Sequence, residues 1–474
     1  MENIKANNVF KIFEEISKIP RESGNEKGIS DYIYNWAKER NLNVVQDEHN
    51  NIVIKKPAHP LYKDHPPVLL QAHTDMVCEK TPESTHDFEK DPILLKQDGD
   101  WIISACGTSL GADNGIGVAA AMSILDDVDV KHPPIEVALT ISEETTFEGA
   151  ESLSPELFDS VRMINLDHAA DNEIIVGSCG GVGVNFRLPI SYGPPEDSAK
   201  AYRVDVTGLT GGHSGEDIHR GRGNAIELIS RLIRTCDYSV AEISGGTNRL
   251  AIPREAMAIV VTADEAGLRE HVNKMGDVFA REYVGTAPEL NVSLIELDEV
   301  PRVLDKESRE KALTALTLFP DGITAMNGGF PNLVESSNNL GILRFNEDEM
   351  VITTEIRGMY VSTICNIRDR VEMLGDILGA QREYFSEYVP WEFSGKSEMR
   401  ETALDVYRDM FGGEMLQLAL HAGLECGYFM EKKPGMDIIS IGPNCQYFHS
   451  VNERVSISST VKFYNFLKGI LEKL

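Results

Sequence analysis

The chain has 474 residues, which is long enough for two domains or for one domain that carries a large insertion. Its 42% hydrophobic and 25% charged residues are ordinary for a globular protein, and its longest apolar runs are too short to cross a bilayer, so we expect no membrane span and no membrane partner. A formal net charge of −30 argues against a nucleic acid as partner, because binding phosphates requires a basic face.

The amino-terminal segment and the cysteines both indicate the cytoplasm. The segment has mixed charge and helical apolar spacing, and it lacks the apolar block of a signal peptide, so secretion is not expected. The seven cysteines are scattered without a Cys-x-x-Cys pair, and their odd number favours free thiols in a reducing compartment over a zinc ribbon. We therefore predict a cytoplasmic location.

From residue 1 to about residue 186, short continuous apolar runs alternate with helical patterns. The strand-like runs are VLLQAH, IEVALTIS and VRMINLD, and the main helical pattern between them is GIGVAAAMSIL. Buried apolar strands separated by helices are typical of a mainly parallel sheet that is covered on both faces. The sequence therefore predicts an α/β domain.

The α/β pattern stops near residue 186 and returns near residue 394. Between these points lie strand-like segments such as AYRVDVTG and helical patterns near 223–235 and 263–283. The carboxyl-terminal part offers a helix, EMRETALDVYRDMF, a strand, DIISIGP, and a closing amphipathic helix, STVKFYNFLKGILEKL. We predict a first domain built from 1–186 and 394–474, interrupted by an inserted α+β domain of 187–393.

Acidic residues and histidines follow the ends of four predicted strands. Ligands of open α/β sheets bind at the carboxyl ends of the strands, so side chains in these positions are expected to share one rim. The residues that follow the strands are His73 and Asp75, then Glu143 and Glu144, then Asp167, and finally His449.

Each of these signals is weak when it is taken alone. A His-x-Asp pair can be structural, two consecutive glutamates are common on surfaces, and Asp113 in the turn GTSLGADNGIG can be an ordinary helix cap. Their joint order along the chain changes the interpretation. The successive motifs are HTD, GADNG, SEET, LD and FHS.

That order resembles the M20 metallopeptidases over nearly the whole chain. Six stretches are similar to the aminoacyl-histidine dipeptidase (peptidase D) branch of that family: QAHTDMVCEK, GTSLGADNGIGVA, TGLTGGHSGEDIHRGRGNA, LAIPREA, HAGLECGYF and IGPNCQYFHS. The resemblance implies a zinc-peptidase catalytic domain, a lid formed by the inserted domain, and a small peptide as substrate. The activity that it implies is the hydrolysis of dipeptides, with Xaa-His dipeptides as part of a broader range. Two activities on the same fold remain alternatives, an N-acyl amino acid deacylase and a tripeptide aminopeptidase. A scaffold protein without metal would require the loss of a ligand or of the base, and every such position is filled.

The family pattern implies two zinc ions per chain, and cobalt or manganese are also possible with these ligand types. Asp113 would bridge the two ions, His73 and Asp167 would complete one site, and Glu144 and His449 would complete the other. Zinc accepts imidazole nitrogen and carboxylate oxygen, and a shared carboxylate offsets the repulsion between two cations.

The resemblance also implies roles for two further acids of the predicted catalytic domain. Asp75 would orient His73, since a ligating imidazole normally donates its other N–H to a carboxylate. Glu143 would be the general base, because adjacent residues in an extended segment point in different directions and leave Glu143 free to face water when Glu144 binds metal.

Three residues are expected to contact the substrate. His213 in GGHSG would stabilise the tetrahedral oxyanion, Arg357 in ITTEIRGMY would bind the terminal carboxylate, and Glu425 in HAGLECG would pair with the free amino group. A monomer and a homodimer both remain open, and so does the question of whether His213 acts within its own chain. Further candidates without an assigned role are Asn248, Asn339 and Glu453.

Overall fold

The chain builds two units in the computed structural model, which describes residues 7–474. Unit 1 comprises Met1–Gly177, Phe393–Ala419 and Glu425–Leu474, and unit 2 comprises Ser178–Glu392 and Leu420–Leu424. The helical pattern expected at the amino terminus includes residues 1–6, which lie outside the described part of the chain.

The first boundary between the units differs from the predicted one. Strand Gly180–Pro189 runs through residue 186 without a break and pairs over its whole length with Glu349–Gly358 of unit 2. The chain therefore changes unit at Ser178, because this strand needs its partners in the second sheet. The short return of Leu420–Leu424 to unit 2 was not predicted either. The function of unit 2 as a lid stays a prediction.

The helices among the described residues begin with side-chain caps at many of their amino ends, for example at Asn7, Asp264 and Ser397. In chain order they are α1 (Asn8–Ile16), α2 (Lys27–Glu39), α3 (Ala112–Asp126), α4 (Glu148–Ser152), α5 (Ala225–Arg234), α6 (Glu265–Glu282), α7 (Lys306–Leu318), α8 (Val361–Leu378), α9 (Glu398–Phe411), α10 (Cys426–Lys432) and α11 (Ile457–Lys473). The four helices predicted near 223–235, near 263–283, over EMRETALDVYRDMF and at the carboxyl end are confirmed as α5, α6, α9 and α11.

The described strands are numbered in chain order. The strands before the first boundary are β1 (Asn43–Gln46), β2 (Ile52–Lys56), β3 (Val68–His73), β4 (Leu95–Asp98), β5 (Trp101–Ser104), β6 (Ile135–Thr140) and β7 (Arg162–Asn165), and β8 (Glu173–Ser178) ends at that boundary. Unit 2 contains β9 (Gly180–Pro189), β10 (Tyr192–Gly193), β11 (Lys200–Thr207), β12 (Gly212–His213), β13 (Ser239–Gly245), β14 (Ala251–Ile252), β15 (Ala256–Thr262), β16 (Asn291–Leu297), β17 (Val303–Leu304), β18 (Gly322–Met326), β19 (Val334–Phe345), β20 (Glu349–Gly358) and β21 (Gln381–Tyr388). The last strands are β22 (Leu416–Leu420), β23 (Asp437–Ser440), β24 (Cys445–Gln446) and β25 (Arg454–Ser456).

Unit 1 is built around a mixed eight-stranded sheet in the order β1-β2-β6-β3-β7-β23-β8-β22. The four central strands, β6, β3, β7 and β23, are parallel, whereas β2 and β8 run antiparallel to their neighbours β6 and β23. Every residue of β3 and of β6 is buried, as expected for parallel strands covered on both faces. Helix α3 packs on β3 and α1 packs on α3.

Unit 2 is built around a nine-stranded sheet in which the strands that pair are antiparallel. Its core includes side chains from the sheet and from α5 to α8. The predicted α/β class of unit 1 and the inserted α+β unit are thus confirmed. Among residues 7–474, we find no helix with the length and apolar character that a bilayer crossing requires.

A glycine after β23 allows the segments that follow two parallel strands to approach closely. Gly442 is buried, and a Cβ at this position would overlap the carbonyl oxygen of His168, which lies just past β7. Backbone atoms cannot swing away as a flexible side chain can. The rim of the sheet next to Asp167 therefore depends on the absence of a side chain at residue 442.

We predict that Gly442→Ala lowers the stability of the protein by about 1–3 kcal/mol, the usual cost of forcing an extra methyl into a packed interior. Thermal and urea unfolding monitored by circular dichroism will measure the loss. Gly413→Ala is the matched control, because no atom lies within 4 Å of its added Cβ and its stability should stay close to that of the wild type. Equal stability of the Gly442 variant and the wild type would contradict the close approach.

Candidate functional site

Three adjacent parallel strands end beside the candidate ligands. Strand β3 ends at His73 itself, β6 ends three residues before Glu143, and β7 ends two residues before Asp167. Because β6, β3 and β7 are neighbours in register, the segments that leave them lie at one edge of the sheet. The rim expected from the sequence is thus formed within unit 1.

Two histidines face Asp113 from opposite sides. His73 Nε2 lies 3.2 Å from Asp113 Oδ1 and 3.5 Å from Asp167 Oδ1. His449 Nε2 lies 3.3 Å from the other oxygen, Asp113 Oδ2, and 2.9 Å from Glu144 Oε2. Asp113 therefore belongs to two sets of potential ligands, His73 with Asp167 and His449 with Glu144.

The spacing of these atoms fits divalent cations of the zinc type. Ligands held about 2.0–2.1 Å from a tetrahedral ion lie roughly 3.3 Å from one another, close to the distances measured around Asp113. Imidazole nitrogen and carboxylate oxygen suit zinc, and they also suit cobalt and manganese. The donor set thus fits two cations that share one carboxylate, and it does not distinguish among these metals.

Glu143 and Glu144 differ in their contacts although they are adjacent. Glu144 holds both carboxylate oxygens within 3.0 Å of His449 Nε2. Glu143 approaches His73 Nε2 only to 4.0 Å, and its side chain retains 12% exposure. A third possible ligand group does contain Glu143, together with His73 and Glu144. The contacts to His449 favour Glu144 as the ligand.

Asp75 contacts both the ring of His73 and the backbone of Glu143 and Glu144. Its Oδ1 lies 3.2 Å from His73 Nδ1 and accepts the backbone N–H of Glu143 at 3.1 Å. Its Oδ2 accepts the backbone N–H of Glu144 at 3.2 Å and the hydroxyl of Ser23 at 2.7 Å. The predicted orientation of His73 by Asp75 agrees with this geometry, and the anchoring of the Glu143–Glu144 backbone adds to it.

The cluster is short of positive charge. Burial raises the pKa of Glu143, and burial together with Asp113 raises the pKa of Glu144. Burial and Asp113 also raise the pKa of Asp167 to about 7. Burial disfavours the charged form of His449, but its contacts with Asp113 and Glu144 raise its pKa to about 11. Such a group of acids takes up protons or cations readily, which is the electrostatic condition for a metal centre.

Two buried charged residues support the Asp113 segment. Glu453, which is 3% exposed, accepts the backbone N–H groups of residues 110–113. Arg21, which is 2% exposed, donates to the carbonyl oxygens of Thr74, Asp75 and Gly111. Glu453 was among the candidates without an assigned role, whereas Arg21 was not predicted, because a lone arginine in SKIPRES carries no pattern.

Glu425 lies in a layer of polar side chains buried within the sheet. Its Oε2 accepts hydrogen bonds from Gln71 Nε2 at 2.5 Å and from Thr140 Oγ1 at 2.8 Å, while Oε1 has no hydrogen-bond partner among the described residues. Asn165 continues the layer by donating to Gln71. Burial raises the pKa of Glu425 to about 8. Glu425 therefore contacts the last residue of β6 and a residue two positions before the end of β3, close to the candidate ligands.

His213 lies in unit 2 in a turn that requires glycine. Gly211 and Gly212 have φ of +65° and +141°, and a Cβ on Gly212 would overlap the side chain of Arg222. The backbone N–H groups of Gly215 and Glu216 both donate to His213 Nδ1, at 3.3 and 3.1 Å. In the neutral ring the proton is therefore on Nε2, as an oxyanion donor requires.

Arg357 lies on β20 of unit 2 and is 4% exposed. Its Nη1 donates to Tyr388 Oη at 2.6 Å, and its Nη2 donates to Ser214 Oγ at 3.4 Å. Burial lowers its pKa, but Tyr388, Cys179 and neighbouring Glu355 raise it above the ordinary value. Arg357 therefore remains a cation, and Ser214, the residue after His213, links the two predicted substrate residues within one unit.

The other two candidates, Asn248 and Asn339 of β19, both hold the segment of residues 248–251. Asn248 Oδ1 accepts the backbone N–H of Leu250, and Asn339 Nδ2 donates to the carbonyl oxygens of Arg249 and Ala251. These contacts account for asparagine at both positions in local terms.

Known proteins are similar to this chain over nearly its whole length. The profile of peptidase family M20/M25/M40 matches residues 69–473. Over 472 residues the chain is 34% identical to the cytosol non-specific dipeptidase of Escherichia coli (strain K12), a match that covers 98% of this chain and 97% of that protein. The crystal structure of aminoacylhistidine dipeptidase from Vibrio alginolyticus has a TM-score of 0.89 at 33% identity, over 98% of this chain and 96% of that one.

A more distant structure has the same fold. Aminopeptidase PepT from Bacillus cereus ATCC 10987 has a TM-score of 0.58 at 15% identity, over 98% of each chain. The profile covers most of the sequence, and the Escherichia coli relative is similar over nearly all of it. The expected resemblance is confirmed, and the chain belongs to peptidase family M20/M25/M40.

Proposed function

We propose that the chain is a cytoplasmic dipeptidase that acts with two bound divalent cations, of which zinc suits the ligands well. The observation that carries this proposal is the junction at Asp113, whose two oxygens face His73 and His449 at 3.2 and 3.3 Å. Dipeptides are proposed as substrates because two relatives that share about a third of their residues with this chain are dipeptidases by name. We expect a broad range of dipeptides that includes Xaa-His.

In this proposal the ligands divide into two sets. His73 and Asp167 would hold one cation, Glu144 and His449 would hold the other, and Asp113 would be a ligand of both. When bound, cations of this kind would lower the pKa of water toward about 7 and would polarise the scissile carbonyl. This division is supported by the two oxygens of Asp113, because Oδ1 lies near His73 and Oδ2 lies near His449.

Glu143 acts as general base and then as general acid. It accepts the proton of the attacking water on its carboxylate and delivers it to the nitrogen of the leaving amine. Its freedom from His449 and its retained exposure support this role over a role as ligand. Asp75 holds the backbone of Glu143 and the imidazole of His73, so the base and one ligand share a single anchor.

Residues of unit 2 contribute to substrate recognition and to stabilisation of the transition state. His213 donates its Nε2 proton to the oxyanion, and the guanidinium of Arg357 pairs with the terminal carboxylate. Glu425 Oε1, which lacks a hydrogen-bond partner among residues 7–474, is the proposed acceptor for the substrate's amino group. Recognition of both charged termini would favour dipeptides over longer chains and over acylated amino acids.

A substrate panel tests the proposal directly. The purified protein, loaded with zinc, cobalt or manganese, should hydrolyse dipeptides with kcat/KM at least about tenfold above that for tripeptides and N-acetyl amino acids, since either change alters one charged terminus or its position. A chelator should abolish the activity, and the same metal should restore it. Preference for acetylated amino acids or for tripeptides would instead establish one of the two alternatives.

Glu143→Ala is the control that separates catalysis from metal binding. It should retain its metals and lose about a hundredfold or more in kcat, the usual contribution of a general base. Glu148→Ala changes an exposed glutamate five residues further along and should keep wild-type turnover. An active Glu143 variant would assign the proton transfer to another group.

Carboxylate recognition is tested by amidating the substrate. For the wild type, amidation of a dipeptide should lower kcat/KM by about 10- to 100-fold, because a hydrogen bond to a charged group contributes roughly 1.5–3 kcal/mol. Arg357→Ala should be much less sensitive to the same change. His213→Ala should lower kcat on both substrates alike, because an oxyanion donor acts in the transition state.

Arg187→Ala is the matched control for this cycle. Arg187 lies on the neighbouring strand β9 and pairs with Glu349, so its loss should leave the effect of amidation unchanged. Equal sensitivity of the wild type and the Arg357 variant to amidation would refute carboxylate recognition by Arg357.

A further inference from the structure

A single buried carboxylate accepts hydrogen bonds from four consecutive backbone amides, the last of which is that of the candidate bridging ligand Asp113. Glu453 Oε2 accepts from the N–H groups of Leu110 and Gly111 at 2.7 and 2.8 Å. Glu453 Oε1 accepts from Ala112 and Asp113 at 2.7 and 3.2 Å. Leu110 and Gly111 precede α3, and Ala112 and Asp113 are its first two residues, whose N–H groups have no partner inside a helix. One side chain satisfies all four. The backbone of Asp113 is therefore fixed by a residue 340 positions away.

Arg21 holds the same segment from its carbonyl side. Its Nη2 donates to the carbonyl oxygen of Gly111, while its Nη1 donates to those of Thr74 and Asp75 at 2.9 and 3.2 Å. Gly111 has φ of +71°, and a Cβ there would lie 2.5 Å from Arg21 Nη2, so the guanidinium needs glycine at this point. Arg21 thus ties the Asp113 segment to the segment that follows β3 and His73.

Glu453 also belongs to the loop that supplies His449. Only three residues separate the two, and the N–H of Glu453 bonds to the carbonyl oxygen of Ser450 within the loop. A shift of this loop would therefore move His449 and the support of Asp113 together. One set of contacts links His73, Asp113 and His449, the three residues whose nitrogen and oxygen atoms meet at the junction.

We propose that Glu453 and Arg21 are positioning residues that hold Asp113 between His73 and His449 and thereby set the affinity for both cations. This inference rests on the proposed metal-dependent function. Neither side chain contacts a cation in this account. They act through the backbone of residues 110–113, whose amides and carbonyl they bind on opposite sides.

Glu453→Gln tests the carboxylate with minimal change of shape. A glutamine offers one acceptor oxygen and turns an NH₂ group toward two of the four amides, so that donors would face donors. The cation-free protein is titrated with Co²⁺ against a competing chelator, and visible absorption reports the geometry at the metal. We expect both dissociation constants to rise about 10- to 100-fold, the usual effect of removing a support of a metal ligand, together with an altered Co²⁺ spectrum.

Glu136→Gln is the matched control. Glu136 is a 3% exposed carboxylate of the same unit that accepts the backbone N–H groups of Asp159 and Ser160, away from the candidate ligands. Its loss should lower the melting temperature of the cation-free protein but leave the Co²⁺ affinity within about twofold and the spectrum unchanged. An equal loss of affinity in the Glu136 variant would overturn the proposal, since the effect would then be general destabilisation.

Arg21→Lys provides a second variant that keeps the charge but cannot reach three carbonyl groups at once. This variant should lower the affinity for both cations at least about fivefold. It tests the proposal independently if Glu453→Gln does not fold. Wild-type affinity in a folded Glu453 or Arg21 variant would overturn the positioning role. Failure of the wild type itself to bind two Co²⁺ ions would instead overturn the proposed function, so the two failures are distinguishable.

Discussion

The site in unit 1 depends on holding like charges together. Asp113, Glu143, Glu144 and Asp167 converge with two histidines at the ends of three neighbouring strands. Burial and neighbouring acids disfavour the ionisation of Glu143, Glu144 and Asp167 and raise the pKa of each, whereas the two histidines lower the pKa of Asp113. A divalent cation would relieve this repulsion, and folding and metal binding would then be linked. Without rigid supports, the acidic segments would move apart.

Buried carboxylates provide those supports by binding backbone amides. Asp75 fixes the amides of Glu143 and Glu144, and Glu453 fixes those of the Asp113 segment. Glu26 acts in the same way on the loop after β6, where its carboxylate accepts the N–H and the hydroxyl of Ser142. The Asp113 segment and the Glu143–Glu144 segment are thus each held by acids from elsewhere in unit 1, and these contacts orient the ligands that the two segments carry.

The rim could be predicted from the sequence because continuous apolar runs reveal buried parallel strands, and His73, Glu144 and Asp167 follow them directly. The supports of the Asp113 segment could not be predicted, since Arg21 and Glu453 meet it across 90 and about 340 residues and carry no local pattern. The boundary predicted near residue 186 differs from the one at Ser178 because the glycine-rich start of β9 reads as a linker, whereas its pairing with β20 and β21 places it inside the second sheet. The antiparallel flanks of the first sheet escaped prediction because short strands such as β1 give little periodic signal.

Metal content measured by mass spectrometry on the purified protein tests the central claim, that Asp113 joins two cation sites. The wild type should contain close to two zinc-type ions per chain. Asp113→Ala should lose occupancy at both sites, whereas the exposed control Asp98→Ala should keep both. Retention of both ions by the Asp113 variant would contradict the account.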